Sequence, residues 1–92
     1  MKFEWDEEKN KNNILKHNVN FNEAKTIFAD KHLYTFTDDD HSINEDRFYA
    51  IGKSLYKNIL LVVFCIRHGD TIRLISARMA DKDDKEVYYA RY

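Results

Sequence analysis

Polar and apolar positions divide this 92-residue chain into a polar, helix-patterned opening and a longer stretch with the character of strands. Lys2 to Trp5 alternates polar and apolar residues and predicts a short first strand. Asp6 then offers an N-cap, and Glu7 and Glu8 favour the positive end of a helix dipole, so a helix is expected to about His17. Its apolar face is thin, chiefly Ile14 and Leu15, which places it at the surface with Lys9, Asn13, Lys16 and His17 at least partly solvated. Asn18 suits the left-handed conformation that ends a helix. Asn20-Phe21-Asn22-Glu23 reads as a capping box, with Val19 stapled onto Ala24. The second helix is expected over Phe21 to Ala29, with Phe21, Ala24, Ile27 and Phe28 as its buried stripe.

Leu33 to Thr37, Arg47 to Gly52, Ile59 to Arg67 and Thr71 to Arg78 are rich in β-branched and aromatic residues and are separated by turn-like clusters, the pattern of successive antiparallel hairpins. The run from Ile59 to Ile66 is apolar on both faces and predicts a central strand. Thr71 to Arg78 alternates, which would send Ile72, Leu74, Ser76 and Arg78 one way and Arg73, Ile75 and Ala77 the other. A last helix starts near Asp81, with Asp84 in its first turn and Val87, Tyr88 and Tyr92 at helical spacing. The fold class is therefore α+β: a curved antiparallel β-sheet with two N-terminal helices packed on it and a C-terminal helix beside it. Residues 1–92 suffice for a single domain with one modest core.

Composition narrows the setting. The eight-residue apolar run is far short of the roughly 20 residues needed to cross a bilayer, and MKFEWDEE lacks the layout of a signal peptide, so a cytoplasmic protein is expected. Cys65, the one cysteine, lies in an apolar run and reads as a small buried hydrophobe. A net charge of −1 provides no bulk attraction for nucleic acid. The distribution is uneven, however: between Arg67 and Arg78 the only acid is Asp70. That stretch can build a local basic face.

Several groups can carry chemistry. Asp38-Asp39-Asp40-His41 holds metal-ligand types, but adjacent residues of an extended chain cannot all converge on one ion, and the segment reads as a solvated hairpin loop. His17 and His68 carry imidazoles, a side chain that suits proton transfer near neutral pH. His17 equally suits the last turn of a helix, where its charge meets the dipole, and His68 suits a turn. Arg47, Arg73 and Arg78 offer guanidinium forks that match the non-bridging oxygens of a phosphate. Arg78 has an ion-pair alternative with Asp81 or Asp84, and Arg47 with Glu45 on the same strand face or with the first helix, while Arg73 reads as the most structural of the three. Trp5, Tyr88, Tyr89 and Tyr92 can stack on unpaired bases or pack the core.

The spacing of Trp5, Asp6, Lys9, Asn13, Lys16, His17, Val19 and Phe21 resembles the opening signature of the BrnT family, toxins of bacterial type II toxin–antitoxin pairs. Glu45-x-Arg47-Phe48 with Ile51-Gly52, and Arg73-Leu74-Ile75-Ser76-Ala77-Arg78, resemble the family's later segments. Two departures stand out: Asn18 replaces the family's usual glycine, and Met79 replaces a second basic residue after Arg78. The resemblance implies a RelE-like, metal-independent endoribonuclease without cofactors that cleaves RNA and arrests growth. It implies Arg78 and Arg47 as stabilisers of phosphate charge, and His17, Lys16 or Tyr88 as proton carriers. It also implies a cognate antitoxin with a ribbon-helix-helix DNA-binding domain, through which alone DNA is met. The alternative is a catalytically inactive homologue that persists as binding partner and co-repressor of that antitoxin.

Overall fold

The structure, a computed structural model, describes residues 1–41 and 46–92. The elements run β1 (Lys2–Glu4), α1 (Glu7–His17), α2 (Phe21–Ala24), a 3₁₀ segment (Lys25–Ala29), β2 (Tyr34–Thr37), a 3₁₀ turn (Asp39–His41), β3 (Arg47–Lys53), β4 (Ile59–Arg67), β5 (Thr71–Met79) and α3 (Lys82–Ala90). The strands form one sheet in the order β1-β5-β4-β3-β2, with β4 at its centre. Pairings from β2 to β5 are antiparallel, whereas β1 joins β5 in parallel, so the sheet is mixed at that edge rather than wholly antiparallel. The helix between β1 and the rest of the sheet lets the chain return in the same direction.

The expected central strand is β4, whose residues from Ile59 to Cys65 are buried except for the half-buried Val63; Ile66 is 42% exposed. Its two faces feed two cores. Leu60, Val62 and Phe64 pack with Phe21, Ala24 and Ile27 below the N-terminal helices, while Ile59 and Leu61 pack with Ile51, Ala80 and Tyr88 below α3. Gly52 lets the 3₁₀ segment approach β3, since a Cβ there would lie 2.9 Å from both Ile27 Cβ and Leu33 Cδ1. The β4–β5 turn places His68 at φ 56° and Gly69 at φ 75°. The Asp70 N–H closes this turn onto the Arg67 carbonyl at 3.3 Å, and positive φ at both central residues matches the twist of the flanking strands.

Three local expectations change. The second helix is α-helical only to Ala24 and tightens to 3₁₀ thereafter. Asn20 caps it by accepting from the Asn22 N–H, but Glu23 does not answer back. Its Oε2 instead accepts from Ser54 Oγ (2.7 Å) and Asn58 Nδ2 (2.8 Å), tying α2 to the β3–β4 hairpin.

The third concerns Asn13, which is buried together with Asn10 rather than partly solvated. β1 covers the edge of β5 only from Thr71 to Arg73. Farther along that edge, the Asn13 side chain donates to the Ala77 carbonyl (2.8 Å) and accepts from the Ala77 N–H (3.0 Å). An amide side chain thus mimics the missing strand and satisfies a backbone pair that would otherwise be buried unpaired. Asn10 accepts from the Phe21 N–H at 2.8 Å. Helix α1, whose Leu15 is 86% exposed, is anchored as much by these amides as by apolar area.

Candidate active site

A β-bulge decides which side chains meet. Val63 pairs with Ser76 and Phe64 with Leu74, leaving Ile75 as the extra residue in β5. The strict alternation expected for β5 therefore fails: Ala77 joins Ile72 and Leu74 in the first core, and Arg78 turns to the opposite face, toward α3. A single added residue reverses every side chain beyond it.

On that face Arg47, Cys65 and Arg73 form one cross-strand row, followed by Tyr49, Val63 and Ser76, then by Ile51, Leu61 and Arg78. Neighbouring strands lie about 4.8 Å apart, so Arg47 and Arg73 stand roughly 10 Å from each other across the buried Cys65. Three arginines distant in sequence thus share one side of the sheet.

Their engagements differ. Arg73 Nη1 meets Glu4 Oε2 at 2.8 Å, a pairing made possible by β1 lying beside β5. Arg78 Nη1 donates to Asp84 Oδ2 (2.9 Å) and the Met79 carbonyl (3.1 Å), with Asp81 Oδ2 at 3.8 Å. Asp84 also accepts from the Asp81 N–H while Asp81 accepts from the Asp84 N–H, the reciprocal capping box that starts α3. That backbone bond from Asp84, opposed by burial and aided by the Asp84 side chain and Arg78, holds the Asp81 carboxyl below its ordinary value. The Arg78 side chain, 38% exposed, is held by the N-terminus of a helix and still reaches solvent. Arg47 is half-buried on β3. Glu45, its expected strand-face neighbour, lies outside the described residues.

Tyr49 was not singled out from the sequence and belongs to this face. Burial, together with the charge of Asp38 and the hydrogen bond to it, pushes its phenol up, against a smaller opposing effect of Arg78. Tyr49 therefore lies within the electrostatic reach of Arg78. The signal was present in Arg47-x-Tyr49, because strand alternation puts both residues on one side.

Tyr88 occupies a different place. It is fully buried in the second core, and its hydroxyl donates to Asp30 Oδ2 at 2.6 Å. Burial and the Asp30 carboxylate push its phenol strongly upward. Asp30 also accepts from the N–H groups of His32 (2.9 Å) and Lys53 (2.8 Å). Burial pushes its carboxyl up, but the bonds from Tyr88, Lys53 and His32 and the charge of His32 outweigh that and leave it below its ordinary value. Tyr88 joins α3 to the 3₁₀ segment and β3, away from solvent.

His17 ends α1, half-buried, and Lys16 is exposed beside it. His17 stands one turn beyond Asn13 on the same side of the helix, and so alongside the C-terminal end of β5. Neither residue hydrogen-bonds to Arg78. His68 is an exposed turn residue. Trp5 packs on the first core, edge-on to Phe21 at 6.0 Å. Asp38 is buried, with its N–H donating to the Arg47 carbonyl (2.8 Å), whereas Asp39 and Asp40 are exposed. Among the described residues no three His, Cys, Asp or Glu side chains are grouped closely enough to share a metal ion.

Comparison with known proteins gives this face a context. A family model described as the ribonuclease toxin BrnT of type II toxin–antitoxin systems matches residues 5–84. The crystal structure of the Brucella abortus ribonuclease toxin BrnT superposes with a TM-score of 0.68 at 27% identity, covering 89% of this chain and 99% of that one. No curated protein matches. The matched region takes in α1, strands β2 to β5 and the Arg78–Asp84 clamp.

Proposed function

Since this chain belongs to the BrnT family of ribonuclease toxins, we propose that it is a metal-independent endoribonuclease that arrests growth, and that the arginine face of its sheet holds the scissile phosphate. The observation that carries the reading is the gathering of Arg47, Arg73 and Arg78 on one side of a chain whose net charge is only −1. Attack of a ribose 2′-hydroxyl on the adjacent phosphorus adds charge to the non-bridging oxygens, and fixed guanidinium groups lower the barrier where that charge develops. Arg78, oriented by Asp84, and Arg47 fill this role. His17, with Lys16 beside it, removes or supplies protons at the edge of β5. Tyr88 takes no part in proton transfer, because its proton is committed to Asp30 in the core; Tyr49 is the phenol of this face.

The partner is a cognate antitoxin, as a toxin of a type II pair requires, and its DNA-binding part is a ribbon-helix-helix domain. The setting is the bacterial cytoplasm; no helix of the described residues is long and apolar enough to cross a membrane. One observation favours the second reading, an inactive homologue that acts as co-repressor: Arg78 already satisfies part of its fork on Asp84 and Asp81.

Cleavage of an end-labelled RNA by the purified protein tests the proposal. We expect full activity in excess EDTA, and loss of the cut when the nucleotide 5′ to it carries 2′-deoxyribose. Activity abolished by EDTA and restored by a divalent cation would overturn metal independence; no cleavage and no growth arrest on expression would favour the inactive homologue.

A further inference from the structure

Beside the arginine face lies a groove of about 210 Å³, lined by Tyr34, Phe36, Ile51, Asp84 and Val87. One wall is an aromatic ladder: the Tyr34 and Phe36 rings stack at 5.4 Å and the Phe36 and Tyr49 rings at 5.0 Å, with interplanar angles of 29° and 25°. The other wall is α3, and Ile51 forms the floor. Phe36, on the edge strand β2, is 36% exposed, and Val87 opposite it is 42% exposed. Exposed apolar side chains along a sheet edge are an aggregation hazard unless something occupies them.

We propose that this groove is a stacking subsite for one unpaired base of the RNA, flanking the phosphate held by the arginines; the proposal rests on the ribonuclease reading. An aromatic wall facing an aliphatic one makes a slot suited to a flat ring, and every base offers a π-face. The ends of the slot are cationic. The Arg91 guanidinium lies 4.4 Å from the Tyr34 ring centroid, and Arg78 is held on Asp84 at the opposite side. A base in the slot therefore has a positive group for the phosphate on either side of it, a complementarity that an apolar peptide would not use. Asp84 spends Oδ2 on Arg78 and on the Asp81 N–H. Its Oδ1 has no hydrogen-bond donor among the described residues and remains an acceptor for a base N–H.

Binding of the full-length protein to a single-stranded 2′-O-methyl RNA hexamer, which cannot be cleaved by 2′-hydroxyl attack, is the test, with anisotropy as the readout. We expect Phe36→Ala to weaken affinity about tenfold or more while leaving the salt dependence unchanged, since stacking contacts no phosphate. Phe36→Trp should retain affinity, and Tyr56→Ala, on the exposed β3–β4 turn outside the groove lining, should bind as the parent does. Equal affinity of Phe36→Ala and parent would overturn the subsite, and cleavage by the parent would leave the ribonuclease reading standing. Unchanged RNA affinity together with lost antitoxin binding would assign the groove to the protein partner and likewise overturn the subsite. A parent that binds no hexamer overturns the subsite, and if it also cleaves no RNA, the ribonuclease reading falls with it.

Discussion

Arg78 is bound by one nitrogen to Asp84 and Asp81, so substitution there tests two roles at once. If the guanidinium stabilises transition-state charge, Arg78→Ala should lower cleavage roughly a hundredfold or more, equivalent to about 3 kcal/mol. Arg78→Lys should recover only part, because a point charge lacks the planar fork. The Asp84 side chain is only 17% exposed, so losing its partner should also cost stability, on the order of 1 kcal/mol. Cleavage rate and thermal midpoint measured on the same variants separate the roles. A destabilised Arg78→Ala protein with undiminished cleavage would reduce Arg78 to a clamp for α3 and leave Arg47 and His17 as the residues to test.

At the scale of elements, α3 is held to the sheet by a buried polar contact as well as by its apolar face. Tyr88→Phe removes the hydroxyl that Asp30 accepts and should cost about 1–3 kcal/mol, as measured by denaturant unfolding, while cleavage by folded protein stays near the parent value. Asp30, held below its ordinary value, contributes stability that is present above the unfolded carboxylate value of 3.8 and is lost as pH falls through the lower folded value. Loss of the Tyr88 hydrogen bond should raise the folded value and move acid unfolding to higher pH. Impaired cleavage by a fully folded Tyr88→Phe protein would restore Tyr88 to the chemistry. The asparagine pair of α1 belongs to the same class of contact: a polar helix is placed by Asn13 on the exposed edge of β5, which a hydrophobicity pattern does not report.

Across the whole molecule, a near-neutral chain gathers three of its arginines, Arg47, Arg73 and Arg78, on one face of the sheet. An antitoxin that shields this face would neutralise the toxin directly and place acidic or apolar groups against the arginines. Hydrogen exchange on the toxin–antitoxin complex should then show protection in β3, in the C-terminal half of β5 and in α3. Protection confined to α2 and the 3₁₀ segment, which pack on the first core, would argue for a partner that acts at a distance.

The sequence by itself determined the elements and much of their punctuation, because those depend on neighbours along the chain. The cap at Asp6, the left-handed Asn18, the capping box of Asp81 and Asp84 and the doubly apolar β4 are all local consequences of residue type and spacing. The arginines were likewise legible as candidates. Tertiary structure alone decided where they point. The bulge at Ile75 moved Arg78 to the face of Arg47, parallel pairing of β1 gave Arg73 its Glu4, and the packing of α3 took Tyr88 into the core while Tyr49 stayed on the arginine face. The reason is physical: periodicity reports which positions are apolar, whereas strand register and long-range hydrogen bonds depend on partners tens of residues away, and one added residue in a strand inverts every side chain that follows.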